Sequence, residues 1–197
     1  DSKALVDAGE TETYELWSDD WSKGFWKDGD VFCYFGPAWF INFSMSCDQE
    51  GSVGYDGQWG ATVGPQGFFW GGTWICAAAG TDNPNLIKEI MQTMTCDKDT
   101  EVQITKDTQD YTNTISGMNE LANSNFKSDF LGGQNHIKLF AEAAPKINMK
   151  NISAYDQGLN EEFQKAMKDY FDGNVTKDKA LDNFYKAATE KYPNLTH

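Results

Sequence analysis

The sequence contains no arginine: all 16 basic residues are lysine, set against 30 aspartates and glutamates, for a formal net charge of −14. Nucleic-acid binders need a basic face and generally the bidentate guanidinium fork, so DNA, RNA and anionic membranes are not expected partners. Strong acidity by itself is read as solubility. Histidine is nearly missing too, with His136 the internal one of two. Without a base to set beside a nucleophile, and with no G-x-S-x-G elbow, serine-type catalysis is not expected. The four cysteines, Cys33, Cys47, Cys76 and Cys96, form no C-x-x-C pair. A zinc site needs close-spaced ligands, so neither a metal nor any other cofactor is expected. Cys33 and Cys76 lie in apolar runs and are expected as small core residues, while one disulfide stays open, its pairing unreadable from spacing. No apolar run approaches the roughly 18 residues of a membrane span, so no direct insertion is expected. An initiator Met, a signal peptide and a lipid-attachment cysteine are lacking as well. "DSKALVDAGE" reads as the tail of a helix already under way, hence as part of a longer protein.

What the chain does have is aromatic mass. Its 197 residues are 40% hydrophobic and 14% aromatic, enough for one ordinary domain or two small ones. All seven tryptophans fall in the first 74 residues, which separates an aromatic-rich part from a helix-rich part. "WSDDWSKGFWKDG" places Trp17, Trp21 and Phe25 at helical spacing, with Gly29 as a stop. "VFCYF" at 31–35, "WGATV" at 59–63 and "TWICAAA" at 73–79 read as short buried strands. Pro37 opens a helix through "AWFINFSMS", and Asn83 with Pro84 opens another through "NLIKEIMQTM". Further helices are predicted at about 113–124, 135–145, 156–171 and 177–191. In the third of these, Leu159, Phe163, Ala166, Met167 and Tyr170 share an apolar face; the last is expected to bury Leu181, Phe184, Tyr185 and Ala188. Helices separating short apolar strands suggest an α/β sheet.

Catalytic constellations are thin. Asp19–Asp20 and Glu161–Glu162 are adjacent carboxylates, which on a helix point about 100° apart and read as solvated surface. "DKDTE" from Asp97 lacks the central glycine of a calcium loop and reads as a loop and helix start. The sequons at Asn42, Asn151, Asn174 and Asn194 are read as chance. Binding is better supported. "FGPAWF" sets Trp39 in the first turn of a helix after a strand, and "WGGTW" sets Trp70 and Trp74 around Gly71, Gly72 and Thr73. "ISAYDQG" puts Tyr155, Asp156 and Gln157 at a helix opening. A sugar has an apolar ring face and a hydroxyl rim; an indole covers the first, and carboxylate, amide and bare backbone bond the second.

"DGDVFCYFGPAWFINF", "GPQGFFWGGTWICAAAGTDNPNLIKEIMQTM", "FLGGQNHIKLFAEAAPKI" and "NISAYDQGLNEEFQKAMKDYFDG" resemble the carboxyl-terminal part of the family 1 extracellular solute-binding proteins. These are the maltose-binding-protein-like sugar receptors of ATP-driven (ABC) importers. The resemblance covers almost the whole chain and points to a bacterial, Gram-positive branch. It implies a type II periplasmic-binding-protein-like α/β fold: residues 1–72 and 132–197 as a discontinuous carboxyl-terminal lobe, and 73–131 as a crossing strand and a segment of an amino-terminal lobe otherwise absent. It also implies a non-enzymatic receptor that binds a sugar or oligosaccharide in an interlobe cleft and delivers it to a membrane permease. The location implied is extracellular: lipid-anchored at the outer face of the cell membrane, or periplasmic. The ligand contacts implied are Trp39, Trp70, Gly71, Gly72, Thr73, Trp74, Gln134, Tyr155, Asp156 and Gln157. The rival readings are a carbohydrate-active enzyme or its accessory binding module, and a purely structural helical domain whose aromatics are all core.

Overall fold

The computed structural model describes residues 2–196. Its helices, in chain order, are α1 (Ser2–Asp7), α2 (Asp19–Ser22), α3 (Ala38–Phe43), α4 (Pro84–Cys96), α5 (Lys98–Thr108), α6 (Ile115–Ala122), α7 (His136–Ala143), α8 (Asp156–Phe171) and α9 (Lys177–Lys191). Short 3-10 turns lie at Lys23–Phe25, Asp129–Leu131 and Ala144–Lys146. The local signals for these helices are physical. Pro37 and Pro84 enter α3 and α4 where a missing N–H costs nothing. The side chains of Asp97, Asn135 and Thr176 accept the otherwise orphaned amides of Thr100, Lys138 and Lys179.

The expected α/β, periplasmic-binding-protein-like fold is not what forms. Among the described residues there is no sheet; strand pairing is confined to two isolated antiparallel bridges, Trp26–Ser52 and Ser128–Gln134. The three predicted strands at 31–35, 59–63 and 73–79 are irregular chain. Apolar β-formers make a strand only when a neighbour completes the ladder and a second layer covers the face. Here Phe32 is 94% exposed, and Phe35 and Val63 are exposed as well. For the same reason Cys33 and Cys76 are exposed thiols rather than core residues.

Two compact units are distinguished, each described by itself. The first comprises residues 2–21 and 150–196. Its centre is an antiparallel hairpin of α8 and α9: Phe163 meets Phe184 edge-on at 5.3 Å between ring centroids, and Tyr155 meets Tyr192 at 5.0 Å. Gly158, buried in α8, is required there, because a Cβ would fall 1.9 Å from the Tyr192 hydroxyl. The apolar faces are only partly covered: Ala180 and Ala188 are buried, but Phe163 and Tyr185 keep substantial exposure. Lys191 binds Glu161 and Glu162 at 3.4 and 3.0 Å, and Thr13 donates to Asp172 at 2.6 Å, tying the amino-terminal segment to the hairpin's turn.

The second unit, residues 22–149, has two apolar centres. One is aromatic and surrounds α3: Phe25 (1% exposed) and Phe40 pack at 5.9 Å, with Tyr34 4.8 Å from Phe25 and Trp59 6.1 Å from Tyr34. The other is helical: Val102 of α5, Met118 and Leu121 of α6, and Ile137 of α7, with Tyr111, Ala122 and Phe126 against them. The side-chain amide of Gln134 joins the two parts. It donates to the Ala61 carbonyl at 2.6 Å and accepts from the Ala61 amide at 2.7 Å. Helix α4 is different in kind, with no buried residue at all.

Candidate functional site

The aromatic centre of the second unit has a closed end and an open end. Phe25 and Phe40 are buried at the closed end. At the open end Trp39, half-buried in the first turn of α3, touches Phe40, Phe43 and Trp70 edge-on at 6.4, 6.1 and 5.4 Å. Phe43, one turn on, is 82% exposed. Helical i, i+4 spacing puts Trp39 and Phe43 on one side of α3, and the 70–72 segment lies against the first of them. The Trp39 indole N–H donates to the Trp70 carbonyl oxygen at 3.0 Å. Its polar edge is therefore occupied, and what Trp39 can offer a ligand is ring surface.

Gly71 and Gly72 follow at φ +68° and +128°, values that L side chains rarely adopt. A Cβ on Gly71 would meet only the Trp39 Nε1 at 4.0 Å, and one on Gly72 would meet nothing within 4 Å. The glycine pair is thus demanded by the positive-φ backbone at both positions, while the space above it is open. Thr73 is exposed, and Trp74 is 81% exposed. An indole left that bare pays for its apolar area in water unless something covers it.

The remaining predicted contacts are engaged within the protein. Gln134 has both ends of its amide on Ala61. Tyr155, half-buried, accepts a hydrogen bond at 2.8 Å from the Asn194 amide and meets Tyr192 edge-on, closing the helical hairpin. Asp156 accepts from the Ser153 amide and hydroxyl at 3.0 and 2.5 Å, and those bonds hold its carboxyl below the usual range. Gln157 donates to Glu161 at 3.0 Å. These last three belong to the first unit, whereas Trp39, Trp70, Gly71, Gly72, Thr73, Trp74 and Gln134 belong to the second. Phe43 was not singled out in the sequence; its i+4 relation to Trp39 was the available signal.

Catalytic arrangements are sparse. Glu161 is held low by its bonds from Gln157 and then Lys191, and Glu162 by Lys191, so neither is a carboxyl poised near neutrality. Among the described residues no group of three or more His, Cys, Asp or Glu side chains could hold a metal ion. Among the same residues no helix is long and apolar enough to cross a membrane. An open apolar groove of about 340 Å³, lined by Ala77, Thr81, Ile87 and Met91 among others, runs along α4. No family model matches the chain, and no curated protein or solved structure is significantly similar to it.

Proposed function

We propose that this chain is a non-enzymatic sugar- or oligosaccharide-binding protein, with Trp39, Trp70 and Trp74 as its stacking surfaces. The observation that carries the reading is the open aromatic end beside the positive-φ backbone of Gly71 and Gly72. There Trp39 has its N–H committed to Trp70 and Trp74 is almost bare. Ring faces recognise the apolar side of a pyranose, and exposed backbone groups of a glycine pair can bond its hydroxyls. Delivery to the permease of an ATP-driven importer, outside the cell, rests on the resemblance of the four quoted segments. The binding surface proposed lies within the second unit and does not call on an interlobe cleft.

A panel of mono- and oligosaccharides titrated into the protein, followed by calorimetry and tryptophan emission with overnight product analysis, tests this. Saturable one-to-one binding without product supports a receptor. Turnover would point to the carbohydrate-active enzyme, and no saturable response from any sugar would leave the aromatics as structure alone.

A further inference from the structure

Three consecutive residues at the start of α7 each reach a different part of the second unit. Gln134 clasps Ala61, two residues after Trp59 of the aromatic centre. Asn135 caps α7 and donates to the Leu121 carbonyl at the end of α6 at 2.9 Å. His136, fully buried, has its Nε2 2.7 Å from the carbonyl oxygen of Gln109. Gln109 ends α5 in the left-handed region at φ +62°, a conformation costly for a residue with a side chain. A carbonyl oxygen can only accept, so Nε2 carries the hydrogen and Nδ1 is the bare nitrogen. Nδ1 is buried and has no hydrogen-bond partner, and the rings of Phe126 and Phe140 lie 5.8 and 6.1 Å from the imidazole.

We infer that the Gln134–His136 junction is an acid-sensitive clasp: a proton from solvent taken up at Nδ1 of His136 loosens the start of α7 and, through Gln134, frees Ala61 and the aromatic segment. The imidazolium would place a charge and an unmatched N–H beside Phe126 and Phe140, which a buried apolar setting opposes. Burial already holds His136 below its ordinary value, partly offset by the Gln109 carbonyl and by the charge of Asp110. Asp110 is half-buried and itself accepts from the Tyr111 amide at 2.7 Å. Besides half-buried Tyr111, the other titratable groups on the surrounding elements are Lys98, Asp99, Glu101, Lys106 and Asp107 of α5, Glu120 of α6, and Lys127, Asp129, Lys138 and Glu142. The charged groups among these are all exposed except buried Glu101, which lies two turns of α5 before Gln109. Release of a bound sugar on acidification is the functional consequence, and that last step alone rests on the proposed function.

The test is amide hydrogen exchange of Ala61, corrected for intrinsic rate, between pH 8 and pH 5, with the His136 titration read from its ring resonances. A ring that is neutral when clasped and has a pKa of about 6.5 when released favours opening by up to about thirtyfold at pH 5 relative to pH 8. Ala61 protection should fall by up to that factor, and the fall should vanish in His136→Gln, whose amide can still donate to Gln109. Asp110→Asn, by removing the charge that favours the imidazolium, should move the His136 titration further down. An unchanged Ala61 protection, an equal fall in His136→Gln, or a His136 that titrates at or above 6.5 would each overturn the inference. None of these readings requires a sugar, so failure of the clasp and failure of the sugar-binding proposal are separable.

Discussion

Replacing Trp39 separates what its ring does from what its nitrogen does. Trp39→Phe removes the hydrogen bond to the Trp70 carbonyl and keeps an aromatic ring beside Phe43 and Trp70. Loss of one such bond costs about 0.5–1.5 kcal/mol of stability. Trp39→Ala also removes three edge-to-face contacts. For a half-buried ring the total should come to about 2–3 kcal/mol, below the range for a fully buried one. Since the N–H already has a partner, the ligand should meet the ring face. Trp39→Phe should therefore hold its sugar affinity within about threefold. Trp39→Ala should lose roughly 1–3 kcal/mol, the scale of an anchor residue, or about fivefold to 150-fold in Kd. Calorimetric titration with the best sugar of the panel gives the affinities, and urea unfolding of the same samples gives the stabilities. Equal affinity in wild type and Trp39→Ala, with the stability loss present, would show the ring to be packing only.

Gly158→Ala should destabilise the α8–α9 hairpin by about 1–3 kcal/mol through overpacking against Tyr192, and the penalty should shrink in a Tyr192→Ala background; a double-mutant cycle in urea measures it. Native-state labelling with a thiol reagent near pH 7.5 should modify Cys33, Cys76 and Cys96 quickly and leave Cys47 intact. Cys47 is fully buried, and burial together with the charge of Asp48 pushes its thiol up to about 11. The second unit should lose stability as pH falls. Because the folded-state value of His136 is depressed, the unfolded chain takes up the proton first; the stabilisation is complete above about pH 6.5 and drains away below it. Asp110, raised by burial, acts in the opposite sense, costing stability at neutral pH and ceasing to do so in acid. Thermal melts of wild type and His136→Gln from pH 8 to pH 5 should therefore converge at the acid end.

The helices were legible because their signals are local. The proline entry at Pro84 and the i, i+4 apolar spacing of α8 need no knowledge of distant chain, and α8 and α9 occupy the predicted ranges, although the Asn83 side chain makes no capping bond. The sheet was misread because "VFCYF", "WGATV" and "TWICAAA" carry only a preference. A strand is a relation between segments, and among the described residues these three find no ladder. Exposure of Cys33 and Cys76 follows from the same missing layer. At the site, the glycines and tryptophans stand out in the sequence, but the positive φ of Gly71 and Gly72 and the bareness of Trp74 depend on the surrounding chain. The pairing of Gln134 was not legible, because its partner Ala61 lies 73 positions away and no sequence pattern links them. His136 gave no signal beyond its rarity; its weight comes from burial and an unmatched Nδ1.

The seven tryptophan indole N–H resonances, followed through a sugar titration by two-dimensional NMR, test the central claim most directly. Trp39, Trp70 and Trp74 should shift together and saturate with the ligand, while Trp17 and Trp21, which pack on one another in the first unit, stay in place. Saturating sugar that leaves the resonances of Trp39, Trp70 and Trp74 unmoved would contradict it.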